Sequence, residues 1–159
     1  MKFAELHARS AFSFLQGASV PEEFADAAAK LDLSAIALVD RDGFYGSPCF
    51  FLAMKKLGLR RHTSAEVRCT DGGRYPLLVK SRAGSQNLCR LITRTKLRTE
   101  KHPKPGEEAA ATPEEMEEFS EGLLCLTGDA EGPLAVALRR GEGRACLEQL
   151  VHRFGRGNV

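Results

Sequence analysis

The chain has 159 residues, 43% of them hydrophobic and 28% charged, which suits one compact domain with a sizeable core and excludes a multidomain enzyme. A formal net charge of +2 gives no overall electrostatic case for nucleic-acid binding. No run is long and apolar enough for a membrane span, and the N-terminus lacks a signal-peptide core, so a cytoplasmic location is expected.

Phe3 to His7 reads as a strand, followed by a small polar loop from Ala8 to Ala18. A helix is expected to open at Ser19, with Pro21 in its first turn and Glu22 at capping-box spacing, and with Phe24, Ala27, Ala28 and Leu31 on its apolar face. Ser34 to Val39 is an almost continuous apolar run, the pattern of a strand covered on both faces, and it stops at Asp40-Arg41-Asp42-Gly43. Ser47 to Leu57 reads as a helix with Phe50, Phe51 and Met54 on one side and Gly58 as its stop.

Ala65–Cys69 and Tyr75–Lys80 flank Thr70-Asp71-Gly72-Gly73, a hairpin signal. A helix from about Ser85 to Leu97 leads into a Lys/Pro/Gly/Glu-rich tract, Thr99 to Ala111, expected to be a mobile loop. Thr112-Pro113-Glu114-Glu115 caps a short helix, and Leu123 to Gly128 reads as a third buried strand. Helical patterns at Pro133–Arg140 and Arg144–Phe154 follow, and the residues after Phe154 look like the start of a strand. Alternating strands and helices predict an α/β fold, an incomplete (β/α) barrel with a mostly parallel sheet, flanking helices and one hairpin, all in a single domain over 1–159.

Cys49, Cys69, Cys89, Cys125 and Cys146 are odd in number and too widely spaced for a zinc knuckle, so they read as reduced and mostly buried. Polar groups fall at three strand ends, where α/β barrels carry their chemistry: His7 with Arg9 and Ser10, Asp40 with Arg41 and Asp42, and Glu66. A His, an Asp and a Glu so placed could form a mixed N/O metal site, or could equally be caps and surface charges. Charge is also segregated. Lys80 to Lys104 holds eight basic residues and one acid, whereas Glu107 to Glu121 holds seven acids and no Lys or Arg. Either Arg90, Arg94, Lys96 and Arg98 contact a nucleic-acid backbone, or the two segments pair with each other.

Ordered motifs add a family resemblance. Glu5-Leu6-His7-Ala8-Arg9-Ser10-Ala11-Phe12-Ser13-Phe14-Leu15-Gln16-Gly17-Ala18-Ser19 is similar to Glu-Leu-His-x-His-Ser-x-Phe-Ser-Phe-Leu-Asp-Gly-Ala-Ser, which opens the PHP (polymerase and histidinol phosphatase) domain of bacterial error-prone, C-family DNA polymerases. Ala37-Leu38-Val39-Asp40-Arg41-Asp42-Gly43-Phe44-Tyr45-Gly46, Ser64-Ala65-Glu66-Val67, Asn87-Leu88-Cys89-Arg90-Leu91-Ile92-Thr93 and Gly122 to Gly128 resemble later stretches in the same order. The resemblance covers essentially the whole chain.

It implies the N-terminal part of a DNA polymerase III α subunit, engaged in DNA replication and damage-tolerant synthesis, with the remainder of that chain and DNA as partners. It also implies a site for a cluster of zinc or manganese ions that supports phosphoester hydrolysis. His7 and Glu66 match ligand positions; Arg9 and Arg41 stand where histidines belong, and Gln16 replaces an aspartate. Arginine stays protonated and has no lone pair for a metal. Vestigial ligands at His7 and Glu66, with Arg9, Gln16, Asp40 and Arg41 lining the site, therefore predict no cofactor and no independent catalysis. The arginines are expected to form ion pairs with Asp40 or Glu66 in the metal's place. The alternative is a small metal-dependent phosphoesterase working through His7, Asp40 and Glu66. A barrel short of strands would also expose a sheet edge, which predicts self-association.

Overall fold

The computed structural model describes residues 3–100, 104 and 108–159. They form two compact units, 1–65 and 66–159. The first contains β1 (Ala4–Ala8), α1 (Pro21–Lys30), β2 (Ala35–Arg41), α2 (Ser47–Lys56) and the beginning of β3 (Arg61–Arg68). The second contains the end of β3, then β4 (Arg74–Val79), α3 (Arg82–Arg98), α4 (Pro113–Glu118), β5 (Leu123–Cys125), α5 (Pro133–Arg139) and α6 (Gly143–Phe154). Strand order follows the chain, β1-β2-β3-β4-β5. β1 and β2 are parallel while β4 and β5 are antiparallel, so the sheet is mixed. No helix among the described residues is long and apolar enough to cross a membrane.

In the first unit, α1 and α2 cover the β1–β2 pair. Ala25, Ala28, Ile36, Leu38, Phe50 and Met54 form the core, with Phe24 packed at its margin. The helix face differs from the expected one. Leu31 lies just past the helix end and is 70% exposed, and Pro21 and Ala25 are buried instead. The cap also sits one residue later than expected. Val20 is the N-cap, and the Glu23 carboxylate, not Glu22, accepts from the Val20 N–H at 3.1 Å. Phe51 leaves the core and carries the Arg61 guanidinium 3.7 Å above its ring, a cation–π contact.

The hairpin expected around Asp71 is present, closed by Cys69 N–H donating to Gly73 O at 2.9 Å. The short helix α4 has its capping box. Glu115 N–H donates to Thr112 Oγ1 at 3.3 Å, and Thr112 N–H to Glu115 Oε2 at 2.9 Å. The tract expected to be mobile, 99–111, falls in part on residues 101–103 and 105–107, outside the described ones. Its far end is fixed: Ala111 bridges Cys69, donating to Arg68 O and accepting from Thr70 N–H. Ala110 O accepts from Arg98 at 2.8 Å, and Glu108 pairs with Arg68.

Past Phe154 the chain forms a short 3-10 turn, Arg156–Asn158, rather than a strand. Gly155, at φ 88°, ends α6, and the Asn158 side-chain amide closes onto Phe154 O at 2.6 Å. The cysteines are all unbridged as expected, but only Cys69 and Cys125 are buried; Cys49 and Cys89 are exposed. The latter two sit on α2 and α3, outside the buried faces of those helices.

Candidate functional site

His7 lies where the β1–β2 register shifts between Glu5 and Ala8. A bulge of this kind re-aims the side chain at the irregularity and leaves its backbone unpaired. Here the His7 N–H is satisfied locally, donating to Glu5 Oε1 at 2.8 Å. Arg9 Nη2 lies 3.3 Å from His7 Nε2. A guanidinium only donates, so this contact makes Nε2 the acceptor and engages the lone pair that a metal would use. The residue in the second histidine position thus occupies the first one.

Asp40 is buried, at 2% exposure, near the end of β2. Its Oδ1 accepts from Ser10 N–H at 2.9 Å and from the hydroxyls of Ser10 and Ser13 at 2.8 and 2.9 Å. Its Oδ2 accepts from Gly46 N–H at 3.1 Å. The carboxylate therefore ties the loop after β1 to the loop after β2. Gly46 must be glycine for that approach, since a Cβ there would lie 2.6 Å from Asp40 Oδ2. Of the arginine pairs expected on Asp40 or Glu66, none forms on Asp40 among the described residues; serine hydroxyls and backbone amides hold that carboxylate instead, because they reach it from the adjoining loop. Arg41 Nη2 donates to Gln16 Oε1 at 3.3 Å, so these two replaced ligand positions also contact each other.

Glu66 is fully buried in β3. Among the described residues, the remaining candidate metal donors are His7 in the first unit and Glu66 and Asp129 in the second. Asp129 was not singled out from the sequence, although it follows β5 immediately after Thr127-Gly128, a strand-end turn of the kind that yielded the other candidates. One imidazole and two carboxylates make a partial set. With the His7 lone pair facing Arg9, Asp40 saturated by four donors, and Arg41 on Gln16, the residues present do not fit a multi-metal cluster.

The basic helix and the acidic segment contact each other. Arg94 donates to both oxygens of Glu118 at 2.5 and 3.0 Å, and Arg98 to both oxygens of Glu115 at 2.6 and 3.0 Å. The Arg98 hydrogen bonds hold the Glu115 carboxyl below the usual range. Arg94 also lies 4.5 Å over the Phe119 ring. Arg90 and Lys96 lie on the same helix, α3.

Comparison with known proteins extends this picture. The PHP domain family model matches residues 5–159. The chain belongs to the PHP-domain family. It is 38% identical to the error-prone DNA polymerase of Mycolicibacterium paratuberculosis, with 99% of this chain matching 15% of that protein. It is 43% identical to the error-prone DNA polymerase of Corynebacterium jeikeium, with 99% of this chain matching 12% of that one. This PHP domain thus spans about one seventh of the length of such relatives, and it is homologous to the N-terminal PHP region of C-family polymerase III α subunits. A crystal structure described as a metal-dependent phosphoesterase from Bifidobacterium adolescentis superposes with a TM-score of 0.50 over 60% of this chain and 34% of that one. At 19% identity that likeness establishes the fold, an incomplete PHP-type α/β arrangement.

Proposed function

We propose that this PHP domain is the front portion of an error-prone DNA polymerase III α subunit and acts there as a non-catalytic scaffold in damage-tolerant DNA synthesis. Its partners on this reading are the remainder of the polymerase chain and, through it, DNA. The observation that carries the reading is the Arg9 guanidinium on His7 Nε2, a permanent cation placed against a metal-ligating lone pair. The hydrogen-bonded Asp40 supports it, because serine hydroxyls and backbone amides occupy its oxygens and tie the loop after β1 to the loop after β2.

The test is metal analysis of protein purified without chelator, together with hydrolysis of a chromogenic phosphodiester in zinc or manganese. The scaffold reading expects substoichiometric metal and no hydrolysis above the blank. Stoichiometric metal with turnover abolished by His7→Ala would replace it with the second reading, a small metal-dependent phosphoesterase. That reading draws on the remaining donors His7, Glu66 and Asp129.

A further inference from the structure

We propose that the cavity walled by the turn before β4 and by α5 and α6 is a binding site for a small organic carboxylate. The cavity measures about 340 Å³ and lies wholly within the second unit. That volume is within the range of small-molecule pockets.

Its polar walls are largely committed. Asp71 Oδ1 accepts from Gly73 N–H at 2.8 Å, and Oδ2 from the hydroxyl of buried Tyr75 at 2.5 Å. Arg140 Nη1 donates to Asp71 O at 3.0 Å. Arg153, unlike the exposed Glu142 and Gln149, is an uncommitted polar group withdrawn from water. It projects from the last turn of α6, lines the cavity and is half-buried, yet among the described residues it makes no hydrogen bond or ion pair. Its charge is felt by the groups around the cavity. Burial pushes the Cys69 thiol up to about 12, and Arg153 works against that rise, as it does at Cys146 and Tyr75.

A guanidinium withdrawn from water is ordinarily paired, because partial desolvation without a partner is costly. The unmet partner here is an anion, and the planar fork of arginine suits a planar oxyanion bonded through two N–H groups. The carboxylates of Asp71 and Glu142 also line the cavity and disfavour a doubly charged phosphate, so a monoanion fits better. Val136, Ala137 and Leu150 supply an apolar wall for the body of such a molecule.

The test uses benzoate as probe, titrated into the full chain and followed by amide chemical shifts. Phenyl phosphate, acetate and benzyl alcohol serve as comparators. Benzoate should bind saturably, with a Kd on the order of 1 mM for so small a ligand, and should shift amides of Tyr75, Ala137 and Leu150. Arg153→Gln should weaken it by about tenfold to a hundredfold, the range of a lost charge-assisted pair, while leaving the urea midpoint unchanged or higher. Ala145→Phe, which narrows the cavity from its exposed side, should also weaken binding with Arg153 intact. Acetate and benzyl alcohol, each lacking half of the ligand, should bind more weakly than benzoate. Absence of saturable benzoate binding, or binding unaffected by Arg153→Gln, would overturn the proposal. Tighter binding of phenyl phosphate would overturn the assignment to carboxylates.

Discussion

Replacing Asp40 should unfold the first unit's loop architecture at a cost that can be worked out bond by bond. The carboxylate serves four donors, namely Ser10 N–H, Gly46 N–H and the hydroxyls of Ser10 and Ser13, and both serines are essentially fully buried. In Asp40→Ala the two hydroxyls can turn toward other acceptors, but the two backbone donors are left stranded. Each stranded donor costs about 1–3 kcal/mol, so the two together should cost about 2–6 kcal/mol. In Asp40→Asn the Oδ1 contacts survive, but an amide N–H₂ faces the Gly46 N–H, and a loss of about 2 kcal/mol is expected. Against a typical total of about 5–15 kcal/mol, the alanine variant should be marginal at ambient temperature. Urea unfolding followed by far-UV circular dichroism measures both, with the midpoint falling at constant slope. An Asp40→Asn protein within about 0.5 kcal/mol of the parent, a change of the size ordinary surface substitutions produce, would refute the view of Asp40 as a structural tie. Zinc-dependent stabilisation of the parent that is absent from this variant would point instead to a metal ligand.

Three further outcomes follow from other sites. Glu115→Ala should cost about 1–2 kcal/mol, since it removes a capping-box partner and an ion pair whose arginine is half exposed. Because the Glu115 carboxyl is held low by Arg98, its contribution is complete above the unfolded carboxyl value of about 4.3 and is lost as pH falls through the lower folded value. Urea midpoints of parent and Glu115→Gln should accordingly differ at neutral pH and converge in acid. Leu15→Gly should raise the thermal midpoint, because Leu15 is 86% exposed and sits at φ 61°, where a side chain costs about 1 kcal/mol. Gly46→Ala should lower the unfolding free energy by about 1–3 kcal/mol, comparable with Asp40→Asn and read from the urea midpoint at constant slope, through the collision of its Cβ with the Asp40 carboxylate.

The elements were legible where hydrophobic period and cap chemistry agree. α4 is an example: Thr112 and Glu115 fix its start by direct reciprocal bonds. Ser19 misled because a serine two residues before Pro21 and three before Glu22 looks like a cap, whereas the Glu23 side chain reaches the Val20 amide instead. The direction of β5 was not legible, since a short apolar strand has the same pattern whether its neighbour runs parallel or antiparallel. At the site, the replaced ligands at Arg9, Gln16 and Arg41 could be read from the motif, but their contacts with each other and with His7 could not. Asp40 looked like a site-lining acid. Its role as a tie depends on serines 27 and 30 residues away, which only the folded chain brings to it.

The anchoring of Ala111 bears on how this family can vary in length. Thr99 is bonded to Lys96 at the end of α3, and the stretch from Glu108 to Ala111 is fastened by Arg68, Arg98 and Thr70. Residues inserted between Glu100 and Glu108 would therefore be held between two fixed posts. Their thermodynamic burden would be loop closure, about 0.6 kcal/mol for each doubling of length. A peptide tag or fluorophore-bearing segment placed there should leave the hairpin and α4 undisturbed, making this the natural port for a reporter.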